Sequence, residues 1–237
     1  CSILENSDCI QIISQSLDMK KAELTTTMRY TLPGEIQLDI TVLQFASKTV
    51  PGIVAQELTF TASIPLKIEY QPKIFMPKES LSIYAEHDKG ISQGWYEEDP
   101  IDYVFALESD ASRLGVAVCV LKQSEATKLD KGKYSINLTA HKCARVWTMA
   151  AMVSELYHFE PHLEAIRVLQ WGMMHGYLRL KDKHEKAWSE IWKSRIRVTG
   201  ASVKQQELLD TALYYLMSNV SSSSKTGIPP FGLTQCH

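Results

Sequence analysis

At Pro161 the hydrophobic pattern of this 237-residue chain changes period, and that change constrains the fold more than any single residue does. Before it, apolar and polar residues alternate. Ile36, Leu38, Ile40 and Val42 are separated by Gln37, Asp39 and Thr41, the period-two pattern of a strand with one buried face. Comparable runs lie at Ile10–Ile13, Leu24–Tyr30, Ile53–Ser63, Lys67–Gln71, Ser80–Glu86, Ile101–Glu108, Gly115–Lys122, Tyr134–His141 and Ala144–Val153. Turn signals such as Pro33-Gly34 and Asp130-Lys131-Gly132-Lys133 separate several of them. Pro51, Pro65, Pro72, Pro77 and Pro100 sit between or at the edges of the runs, where a missing ladder donor costs least. Many short strands without helical interludes predict an antiparallel β-sandwich.

After Pro161, which suits the first turn of a helix, Leu163, Ile166, Leu169, Met173 and Met174 recur at three and four. Gly176 offers a stop or kink. Tyr177, Leu180, His184, Ala187, Trp188, Ile191 and Trp192 then form one face of a helix reaching Lys193. A short extended piece, Ile196–Val198, is closed by Gly200. A further helix is predicted over Val203–Val220, with Leu208, Leu209, Leu213, Leu216 and Met217 on its apolar side. Ser221–Ser224 and Gly227–Gly232 read as loop. The fold class is therefore mainly β, then α.

Apolar residues at 45% and charged residues at 22% leave enough side chains for a sizeable core. The net charge of -2 provides no field to draw the chain onto nucleic acid or anionic lipid, and neither is expected as a partner. No run of about 18 uncharged apolar residues is present, so no transmembrane span is expected. The chain opens at Cys1 without a signal-peptide pattern and stops at His237 just after a proline-glycine turn, so both ends read as points within a longer protein. Cys1, Cys9, Cys119, Cys143 and Cys236 are odd in number and irregularly spaced, unlike a disulfide framework or zinc module. They suit a reducing compartment, whereas the sequons at Asn137 and Asn219 suit a secreted one, and the sequence leaves the compartment open.

Few constellations carry chemistry. Glu97-Glu98-Asp99, with Asp102 nearby, is the only dense acidic cluster, and its adjacent carboxylates read as a solvated turn rather than a glycosidase acid–base pair. His158 and His162 are four apart, but Pro161 places the first in a loop, and no third ligand completes a metal site. Nucleophile elbows, P-loops and dinucleotide fingerprints are absent. The basic residues from Arg179 to Arg197 are interspersed with Asp182, Glu185 and Glu190 and read as a solvated helix face. The stripe His184-x3-Trp188-x3-Trp192 reads as helix packing, with His184 hydrogen-bonded at the margin. No catalytic residue, metal ligand or cofactor site is assigned.

His184-Glu-Lys-Ala-Trp-Ser-Glu-Ile-Trp192, Ile196-Arg-Val198, Gly200, Leu213-Tyr-Tyr-Leu216-Met-Ser218 and Pro230-Phe-Gly-Leu233 together resemble the linker region of glycoside hydrolase family 65. Within that family the pattern is most similar to the protein-glucosylgalactosylhydroxylysine glucosidases, the acid trehalase-like proteins. Leu17-Asp18-Met19 and Ala22-Glu-Leu-Thr25 resemble a segment of the family's amino-terminal sandwich, with Ala22 or Glu23 replacing the usual glycine. The resemblance implies a β-sandwich over residues 1–158, linker helices over 159–200, and the first helix and loop of an (α/α)6 barrel over 201–237. It implies an inverting enzyme whose general acid lies on the barrel beyond His237. Phe231 and Gly232, in the loop leading toward the sugar site, are the candidate substrate-binding residues. The expected partners are a carbohydrate and the remaining barrel. The alternatives are the same portion of a disaccharide phosphorylase, or a stand-alone carbohydrate-binding or interaction module with Trp95, Trp147 or Trp171 as platform.

Overall fold

The computed structural model describes residues 9–72, 101–108, 112–121, 124–130 and 132–220, together with the backbone of residues 82–87. Eleven strands precede two helices among them: β1 (Ile10–Asp18), β2 (Glu23–Leu32), β3 (Ile36–Ala46), β4 (Ile53–Ala62), β5 (Leu66–Tyr70), β6 (Ser82–His87), β7 (Tyr103–Glu108), β8 (Arg113–Val120), β9 (Thr127–Asp130), β10 (Lys133–Leu138), β11 (Cys143–Ser154), α1 (Pro161–Lys193) and α2 (Val203–Asn219). β9 is the strand that periodicity did not predict. Its four residues are all exposed, so no apolar alternation marks them. Ile196–Val198 forms no strand.

Eight strands form one antiparallel sheet in the order β1-β2-β3-β4-β11-β8-β7-β6, and β5-β10-β9 form a second. Register fixes which side chains meet. Val146 lies opposite Leu58, Ile40 opposite Phe60, and Leu38 opposite Ala62. These residues pack with Tyr134, Ile136 and Leu138 of β10 and close the sandwich. Further along the same strands, Phe45, Ile53, Ala55, Met149 and Ala151 instead pack with Ala165, Ile166, Leu169, Tyr177 and Leu180 of α1. The large sheet is thus covered on one face by the small sheet and on the other by a helix. In β4 the buried set changes phase between Ala55 and Leu58 for that reason.

α1 begins at Pro161, as its ring geometry favours. It lies close on β8, where a side chain at Gly115 would come within 2.1 Å of the Pro161 backbone. Of the stop or kink offered by Gly176, the kink is present, with φ 71° and ψ 162°, a region open essentially only to glycine. Beyond it, Tyr177, Leu180, His184 and Trp188 remain buried. α2 starts with a capping box, in which Ser202 Oγ accepts from the Gln205 N–H and the Gln205 side chain accepts from the Ser202 N–H. None of its residues is buried. Leu208 and Leu216 are 71% and 48% exposed, while Leu209, Leu213 and Met217 are partly covered. No helix among the described residues is long and apolar enough to cross a membrane.

Candidate functional site

Two places concentrate side-chain chemistry: the junction where α1 meets α2, and a cleft beside the first turns of α1. His184 centres the junction and is fully buried, not marginal as the stripe alone implied. Its Nε2–H donates to the Lys21 carbonyl at 2.7 Å, and its Nδ1 accepts the Lys48 N–H at 3.1 Å. Acceptance at Nδ1 requires the neutral ring, and burial holds its pKa below the ordinary histidine value. The ring lies 4.5 Å from Phe45. Lys48 then reaches the other way. Its Nζ donates to the Met217 and Val220 carbonyls at 2.5 and 2.6 Å, satisfying the end of α2, and lies 5.4 Å over the Trp188 ring. Burial lowers the pKa of this ammonium. Trp188 stacks on Tyr214 of α2 at 5.4 Å, and Trp192 Nε1 donates to the Met19 carbonyl at 3.2 Å. The His-Trp-Trp stripe is therefore packing, as its spacing indicated. Lys48 is the residue that sequence reasoning missed, because it sits in the connection between β3 and β4, where no periodic pattern marks it.

Beside the junction, Lys181 pairs with buried Glu23 at 2.9 Å and with Glu185 at 2.7 Å. Burial raises the Glu23 pKa, while the Lys181 hydrogen bond lowers that of Glu185. This cluster ties α1 to the start of β2.

The cleft has a volume of about 620 Å³ and lies between the β3–β4 turn, the end of β11 and the first turns of α1. Met152, Val153 and Val168 contribute apolar surface, and Tyr157 and Trp171 line it while remaining 44% and 45% exposed. Glu164 and Arg167, one turn apart on α1, form a two-pronged pair with Nε to Oε2 at 2.7 Å. That hydrogen bond holds the Glu164 carboxyl below its ordinary pKa. Trp171 is further held by His175, edge-on at 4.5 Å, and by the Lys183 ammonium 5.9 Å from its centroid.

Of the other sequence candidates, Phe231, Gly232, Trp95 and Glu97-Glu98-Asp99 lie outside the described residues. Asp102 does not belong to a solvated turn. It is buried, accepting from the Val120 N–H at 2.8 Å and the Tyr134 hydroxyl at 2.6 Å, with Lys128 Nζ at 3.2 Å. Its carboxylate joins β8 to β10 across the two sheets, a task that requires burial and full hydrogen bonding. Trp147 stacks on Tyr177 at 5.7 Å and donates to Glu57 at 2.6 Å, which occupies it structurally. His158 Nδ1 accepts the Glu160 N–H in the loop before α1, where the proline had placed it. Among the described residues no three His, Cys, Asp or Glu side chains gather closely enough to hold a metal ion.

Comparison with known proteins supplies what the geometry lacks. A kojibiose hydrolase of Mucilaginibacter mallensis is 23% identical in an alignment of 236 residues that covers 95% of this chain and 34% of that protein. A second kojibiose hydrolase, from Flavobacterium johnsoniae, is 29% identical over 86 residues, 36% of this chain and 12% of that protein. The chain thus spans about a third of the first of these relatives, or less of the second. A solved structure of a putative kojibiose phosphorylase from the human microbiome shares the fold, with a TM-score of 0.62 at 12% identity over 86% of this chain and 28% of its own. The model of the glycosyl hydrolase family 65 N-terminal domain matches residues 5–191, spanning the strands and nearly all of α1, and the chain belongs to that family.

Proposed function

We propose that this chain is the non-catalytic amino-terminal portion of an inverting glycosidase acting on α-glucosyl linkages. The observation that carries this reading is the match of residues 5–191 to the family's N-terminal domain in a chain spanning about a third of a kojibiose hydrolase. In this reading residues 1–158 are the sandwich, 159–200 the linker helices, and 201–237 the first helix and loop of the (α/α)6 barrel. The half-open apolar face of α2 supports that division, since Leu208 and Leu216 remain uncovered. The chain's own work is mechanical. Lys48, His184 and Trp188 fix α2 against the sandwich. Glucosylgalactosyl-hydroxylysine is the substrate proposed from the linker resemblance, within the wider class of α-glucosides. Both curated relatives are named as hydrolases, which supports water rather than phosphate as the attacking group.

The test is glucose release from kojibiose and from glucosylgalactosyl-hydroxylysine. The purified 237-residue chain is expected to release none, while the longer protein that contains it releases glucose without added phosphate. Turnover by the chain alone would refute the non-catalytic assignment. A strict phosphate requirement in the longer protein would instead identify a phosphorylase.

A further inference from the structure

We infer that the cleft beside the first turns of α1 is a binding site for a neutral saccharide. Its volume of about 620 Å³ lies within the range of small-molecule sites, roughly 300–1,000 Å³. The chemistry of its lining selects the occupant. Trp171 and Tyr157 present half-open aromatic surface to the cleft, which the C–H face of a pyranose ring can cover. On the same wall, Glu164 and Arg167 place acceptor and donor groups side by side. Adjacent hydroxyls on a sugar ring can donate to the carboxylate and accept from the guanidinium together.

Competing ligands fit less well. Because the two charges cancel, an anion such as phosphate meets a guanidinium already engaged by a carboxylate that repels the newcomer. A wholly apolar segment would desolvate the pair without replacing its water contacts, at a cost that burial of Val168 and Met152 would have to offset. A neutral polyol satisfies both halves of the lining at once. The indole is also held in place before any ligand arrives, by His175 packed perpendicular to it and Lys183 over its ring, so binding need not order it. None of this depends on what bond the longer protein cleaves.

The experiment is isothermal titration of the 237-residue chain with kojibiose and with maltotriose, extended to tens of millimolar, with inorganic phosphate as the anionic probe. Saturable heat with at least one sugar is expected. Trp171→Ala should weaken it by about tenfold or more, and Arg167→Gln should weaken it as well. Met174→Ala, an exposed residue of α1 outside the cleft lining, should leave affinity unchanged. Circular dichroism establishes that each variant is folded. Absence of saturable binding to either sugar by the folded chain would overturn the assignment. So would unchanged sugar affinity in Trp171→Ala, or phosphate binding that exceeds sugar binding and disappears in Arg167→Gln.

Discussion

His184 shows how one side chain can couple three distant pieces of backbone. It receives a hydrogen bond from Lys48 and donates one to Lys21, and the first of these requires the neutral imidazole. Since burial lowers its folded pKa, the unfolded chain takes up a proton that the folded chain refuses as pH falls below about 6.5. The stabilisation from His184 is therefore complete above that pH and declines as pH falls toward the folded value. His184→Gln should cost about 2 kcal/mol near neutral pH by urea unfolding. The gap between the two proteins should narrow from about pH 8 to about pH 5. His175, whose pKa burial also lowers, remains in both proteins and cancels from the comparison. Ala22 offers the opposite case. It adopts a φ of 53°, in the left-handed region that favours glycine. Relieving a left-handed alanine predicts that Ala22→Gly raises stability by about 1 kcal/mol, readable as a higher urea midpoint with an unchanged slope.

At the level of elements, α2 is the less secured of the two helices. It buries no residue completely and depends on its ends: the Ser202–Gln205 capping box at the start and the Lys48 ammonium at the finish. Lys48→Met keeps most of the apolar stem but removes the donors, leaving the Met217 and Val220 carbonyls without that partner. Hydrogen-exchange protection of α2 amides should fall by about tenfold, with the amides of β4, β8 and β11 unaffected. An equal loss across the strands would mean that α2 opens only with the whole domain. The contrast with α1 follows from contact area. α1 buries nine residues, including Leu169, Leu180 and Trp188, and approaches β8 so closely that only glycine fits at position 115.

Across the whole molecule, period and punctuation in the sequence determined most element types, the helix start at Pro161, the kink at Gly176 and the packing role of the His184–Trp192 stripe. These depend on neighbours within a turn or a strand, which local alternation of burial records directly. Trp171 was legible only as one of three possible platforms, because side-chain type says nothing about which indole ends beside a cleft. Asp102 looked like part of an acidic turn, since the hydroxyl and the amide that bond its carboxylate come from other strands. β9 carried no alternation because neither of its faces is buried. Lys48 caps a helix whose carbonyls lie 169 and 172 residues away, and no local pattern encodes that meeting. Tertiary structure alone decided these features. Strand order and helix docking bring together groups distant in sequence, and the burial of each is set by a partner that its own segment does not contain.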